Sequence, residues 1–101
     1  MKRDPGADLP DLHDATLSSV RFDWRDGTLR ATVRSSDGVR TLEFTGVEDV
    51  RLSRRLPWGP SEHIDNMGID DLSNGIRAHI EMQSGDAIEI ACDSLRVSDP
   101  A

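Results

Sequence analysis

Apolar residues recur at every second position through most of this chain. Leu29, Ala31 and Val33 alternate with Arg30, Thr32 and Arg34, and Leu42 and Phe44 alternate with Thr41 and Glu43. Further on, Ile76, Ala78, Ile80 and Met82 alternate with Arg77, His79 and Glu81, and Ile88, Ile90 and Cys92 with Glu89 and Ala91. A period of two marks strands with one dry face and one wet face. The 3.6-residue period of an amphipathic helix is missing. At most a short N-terminal helix is expected over DLPDLHDAT (8–16), where Asp caps and Leu12 and Ala15 anchor.

Turn signals set the register of the first half. Asp-Gly in RDGT (25–28) and SSDGV (35–39) is the favoured pair for a two-residue type I′ hairpin. A loop at Asp26-Gly27 sets Trp24 opposite Leu29, Phe22 opposite Ala31 and Val20 opposite Val33. A loop at Asp37-Gly38 sets Val33 opposite Leu42 and Ala31 opposite Phe44. Both turns put the same face of the middle strand inward, and a one-residue slip would turn all of it outward. The expected unit is a three-stranded antiparallel meander over about 17–45. Its wet face carries Arg21, Asp23, Arg25, Arg30, Thr32, Arg34, Thr41 and Glu43. A fourth strand follows in GVEDVRLSR (46–54), with Val50 and Leu52 on one face, and Pro57 and Pro60 end it.

The second half repeats this order. LRATV (29–33) resembles IRAHI (76–80), LEF (42–44) resembles IEI (88–90), and EDVRL (48–52) resembles DSLRV (93–97), at offsets of 45 to 47 residues. A duplication leaves such a trace, and short alternating strands also give it by chance. An Asn74-Gly75 loop sets Ile69 opposite Ile80 and Met67 opposite Met82; a three-residue loop over Ser73–Gly75 pairs Leu72 with Ile76. Matching the apolar faces on either side of Gly85 requires a bulge or a three-residue turn. The fold class is therefore mainly β: about eight short antiparallel strands in a two-sheet sandwich or flattened barrel. The 101 residues form one domain, with an ordered core over about 12–97 and similar halves at 12–54 and 62–97.

Composition narrows the function classes. The net charge is −7, which opposes the basic footprint that phosphate-rich partners require, so neither nucleic acid nor an anionic membrane is expected. An acidic surface permits a basic protein partner and also serves plain solubility. The first residues hold no apolar signal segment, and no apolar run reaches spanning length. Cys92 is the sole cysteine, so an internal disulfide is excluded, and its place after Ile88 and Ile90 reads as a small core residue. A cytoplasmic location is the expectation.

Candidate chemistry concentrates between the halves. Pro57 and Pro60 stiffen the loop that carries Trp58, and Gly59 allows a sharp bend. The indole either seals an open end of the core, the preferred reading, or is offered to a partner. Arg54 and Arg55, with Arg51 nearby, form the densest basic cluster, and with Trp58 and His63 they make an anion-binding set. The plainer alternative pairs these arginines with Glu48, Asp49, Glu62 and Asp65. His13-Asp14 and Glu62–Asp65 lack the spacing of a metal site, and no phosphate loop, nucleophile elbow or Cys/His set occurs. No cofactor, metal or catalytic residue is expected.

HDA (13–15), FDW (22–24), LEFTGV (42–47) and PWGPS (57–61) together resemble a group of small bacterial proteins, some of them immunity proteins of polymorphic toxin systems. That resemblance implies a cytoplasmic protein that binds and blocks a toxin. The combined expectation is a non-catalytic protein-binding module, with an anion- or small-ligand-binding domain built on Arg54, Arg55, Trp58 and His63 as the alternative. Self-association through an open sheet edge is a further expectation.

Overall fold

The computed structural model describes residues 12–55 and 62–98. These described residues form an all-β sandwich of eight strands: β1 (Thr16–Asp23), β2 (Thr28–Ser35), β3 (Gly38–Thr45), β4 (Asp49–Leu52), β5 (Ile64–Leu72), β6 (Gly75–Met82), β7 (Ala87–Cys92) and β8 (Ser94–Val97). One antiparallel sheet has the order β1-β2-β3-β8 and the other β4-β7-β6-β5. Each half of the chain thus builds a three-stranded meander and gives its fourth strand to the other half's sheet. Residues 12–15 form a turn, so the described part of the expected N-terminal helix is not helical.

The predicted inner faces of β2, β3, β6 and β7 are the observed ones, whereas Leu52 of β4 is exposed. Leu29, Ala31, Val33, Leu42 and Phe44 are buried from the first sheet, and Ile76, Ala78, Ile80, Met82, Ile88, Ile90 and Cys92 from the second. Side-by-side rows cross each sheet: Phe22–Leu29–Phe44–Leu95 in one and Ile69–Ala78–Ile90–Val50 in the other. The exchanged strands follow the sequence likeness of the halves. Phe44 pairs with Leu95 as Ile90 pairs with Val50, and Leu42 with Val97 as Ile88 with Leu52.

The expected pairings are corrected by two residues at three hairpins. Phe22 faces Leu29 rather than Ala31, Ala31 faces Leu42 rather than Phe44, and Met67 faces Ile80 rather than Met82. The cause is common to all three. Gly27, Gly38 and Gly75 close their turns with positive φ, whereas the residues before them keep ordinary φ, so none of the turns is the type I′ pair expected. The loops are Trp24–Gly27, Ser36–Asp37 and Ser73–Asn74. A shift of two preserves parity, which is why the faces survive the error. Around Gly85 the expected three-residue turn is found: the Met82 N–H donates to the Asp86 carbonyl at 2.8 Å across Gln83–Gly85.

The open edges are guarded. β1 carries a bulge between Leu17 and Ser19, β5 one between Ile64 and Asn66, and β4 and β8 are four residues each. One corner is closed by a Thr16–His63 bridge, with the Ile64 N–H donating to the Ala15 carbonyl at 2.9 Å. On the outer face His79 lies across Gly68, where a Cβ would sit 2.6 Å from the ring.

Candidate functional site

The connections gather at two ends of the strands. At the His63 end lie the turns 12–15, 36–37 and 83–86 and both described stubs of the 53–63 connection. Gln83 ties them together: its N–H donates to the His63 carbonyl at 2.9 Å and its side-chain amide donates to Asp14. Asp86 fastens the stub that carries the arginines. The residue is 5% exposed, and its carboxylate accepts from the Ser53 hydroxyl (3.3 Å), the Arg55 peptide N–H (3.0 Å) and the Ser84 hydroxyl (3.2 Å). A buried charge is tolerable only with such partners.

The predicted set is thus partly assembled. Arg54 and Arg55 are exposed and His63 is half-buried at this end, while Trp58 lies outside the described residues. The plainer reading of the arginines is corrected for two of the three. Arg51 pairs with Asp49 at 3.4 Å, but among the described residues neither Arg54 nor Arg55 has a carboxylate within ion-pair reach of its guanidinium. Asp86 takes the backbone of Arg55, not its side chain.

His13 and Asp14 line a cleft with Ala15, Ser35, Ser36 and Asp37. Asp14 adopts φ 67°, and the His13 Nδ1–H donates to the Asp65 carbonyl at 2.8 Å, which fixes the ring's tautomer. Opposite them the Ser35 hydroxyl and the Arg40 guanidinium bond the Asp37 carboxylate, and in that order they hold it below the usual carboxylate range. Among the described residues no group of three or more His, Cys, Asp or Glu side chains converges as metal ligands do.

The opposite end holds what sequence reasoning missed. Trp24, expected in the core opposite Leu29, stands 86% exposed at the tip of the β1–β2 loop. Its ring meets Phe22, itself 40% exposed, edge-to-face at 5.8 Å and 88°. The tip is held firmly. The Gly27 N–H donates to the Asp23 carbonyl (2.9 Å), the Asp26 N–H to Asp23 Oδ1 (3.2 Å), and the Val47 N–H to the Gly27 carbonyl (2.9 Å). The missed signal is Asp23. An Asp three residues before Asp26 opens a four-residue loop, which lifts Trp24 off the sheet. No protein-family model matches the chain, and no curated protein matches it. Among the described residues no helix is long and apolar enough to cross a membrane.

Proposed function

We propose that this chain is a non-catalytic protein-binding module and that Trp24 is its principal anchor. The observation that supports this is the exposure of that indole, at 86%, in a chain with two tryptophans. A hydrated Trp forgoes the stabilisation of burying roughly 150–250 Å² of ring surface, and Trp is enriched where partners bind. The tip is also preorganised by two backbone hydrogen bonds, by the Asp26 N–H bond to the Asp23 carboxylate and by Phe22, which lowers the ordering cost of association. The finer reading is an immunity-type inhibitor of a toxin, working in the cytoplasm. In its favour, Val47 of LEFTGV bonds Gly27 at this tip, and Gly27 in turn bonds Asp23 of FDW.

The test is co-expression with the products of the adjacent reading frames, one of which this reading requires to be a toxin. The expected outcome is that the wild-type chain protects and co-purifies, whereas Trp24→Ala loses at least about tenfold in affinity with its melting temperature unchanged. Protection by Trp24→Ala at wild-type strength would sink the reading. The anion-binding alternative, with Arg54, Arg55, Trp58 and His63, is favoured by the two guanidinium groups that find no carboxylate among the described residues. It requires that phosphate, sulfate or citrate raise the melting temperature, and that Arg54→Ala and Arg55→Ala remove the effect.

A further inference from the structure

We propose that the Trp24 end receives a basic protein surface, an apolar socket rimmed by Lys and Arg. This deepens the protein-binding reading and rests on it. The loops of this end are stitched into one surface: Val47 bonds to Gly27, the Asp93 carboxylate lies beside Gly46, and Gly75 packs on the Cys92 carbonyl. That surface exposes Asp26, Glu48, Asp49, Asp70, Asp71 and Asp93. Its loops carry one cation, Arg25; on the adjoining strands Arg51 pairs with Asp49 and Arg77 stands opposite Asp70, so acids remain in excess. The His63 end differs, because Arg54 and Arg55 are exposed there. An apolar anchor at an acidic end is complementary to one kind of occupant. The acids steer a cationic surface in, and the indole and Phe22 fill its apolar centre. Phosphate-bearing partners are repelled by the same field.

The test uses the full chain carrying Trp58→Phe, so that Trp24 is the sole fluorophore. The probes are a 12-residue peptide of alternating Lys and Leu and its Glu–Leu counterpart. The Lys–Leu peptide is expected to change Trp24 emission and to bind more weakly as salt rises. Glu48→Lys with Asp49→Lys is expected to weaken it at least about tenfold, as is Trp24→Ala, whose binding is read by titration calorimetry. Glu62→Lys with Asp65→Lys, at the other end, is expected to cost less than about threefold. Both double variants change the net charge equally, from −7 to −3 since each substitution adds two, so general charge effects cancel. Equal weakening by the two double variants, equal binding of the Glu–Leu peptide, or no binding of the Lys–Leu peptide overturns the inference. The protein-binding reading fails separately, by the Trp24→Ala co-expression result. Binding that depends on Trp24 but not on salt or on Glu48 and Asp49 leaves that reading standing and removes the basic partner.

Discussion

Cys92 sits on the inner face of β7 beside Ile76, and its thiol is pushed up from an ordinary value near 9 to about 11, first by burial and second by Asp93. The unfolded chain loses this proton near pH 9 while the folded chain keeps it to about pH 11. Between those values the unfolded state binds fewer protons, so stability is complete below pH 9 and falls as pH rises toward 11. The chain has no Tyr and one Lys, Lys2, so few other groups titrate in that window. Urea unfolding across pH 8–11 is expected to show the decline in the wild-type chain and to lose most of it in Cys92→Ala; a thiol reagent is expected to label the folded chain only through unfolding. Asp86 is a buried carboxylate held by hydrogen bonds. Asp86→Ala leaves Ser53, Ser84 and the Arg55 N–H short of an acceptor and is expected to cost about 3 kcal/mol by urea unfolding, with Asp86→Asn milder. Neither the Asp86 role nor the Trp24 exposure was legible in sequence, and for one reason. Both depend on which residues a loop leaves out of the sheet, and alternation reports faces, not loop lengths. Cys92 was legible because it lies inside a strand, where alternation does decide its side.

The hairpins show how far pattern carries. Strand existence and inner face followed from Leu29–Val33, Leu42–Phe44, Ile76–Met82 and Ile88–Cys92, because a period of two is set by hydration along the strand. Pairing partners did not follow, because Asp-Gly and Asn-Gly serve two turn geometries. In one, both residues carry positive φ. In the other, the glycine alone does, as the residue that closes the turn. The observed strands take the second, and Gly75 shows a further constraint. A Cβ there would lie 2.4 Å from the Cys92 carbonyl oxygen, at φ +153°. Gly85 also has positive φ, +98°, yet has nothing within 4 Å. The two glycines should therefore separate backbone strain from steric conflict. Gly85→Ala is expected to cost about 1–2 kcal/mol, the strain term alone. Gly75→Ala is expected to cost clearly more, because backbone of β6 or β7 must move. Equal costs by urea unfolding would mean that the contact with Cys92 relaxes freely. Strand exchange, too, was outside what pattern gives. EDVRL and DSLRV each read as a strand, but their destinations depend on the bend at Gly46 (φ 64°) and the crossing hydrogen bonds from Glu48 to Ala91 and from Asp93 to Thr45.

That exchange makes the sheets interdependent, since neither is complete without a strand from the other half, and it leaves the acidic loops of both halves together at one end. Such crowding has a thermodynamic consequence independent of any partner. Like charges within about a Debye length repel, roughly 10 Å at 0.1 M salt, and the folded state holds them closer than the unfolded chain does. Raising NaCl from low to moderate concentration is therefore expected to raise the melting temperature. Asp71→Asn and Glu48→Gln are each expected to raise it at low salt and to flatten its salt dependence. At the other end Asp37→Asn should do the reverse. The Ser35 hydroxyl and Arg40 favour its charged form, so its folded pKa is lowered and its stabilisation is present above the ordinary carboxylate range and lost as pH falls. A surface arranged for solubility alone would spread its acids and gain nothing from their neutralisation at one end. A surface arranged to meet a cation gives up stability there for binding. Thermal scans of the three variants at two salt concentrations decide between these: opposite signs at the two ends support the second, and a uniform response at both ends supports the first.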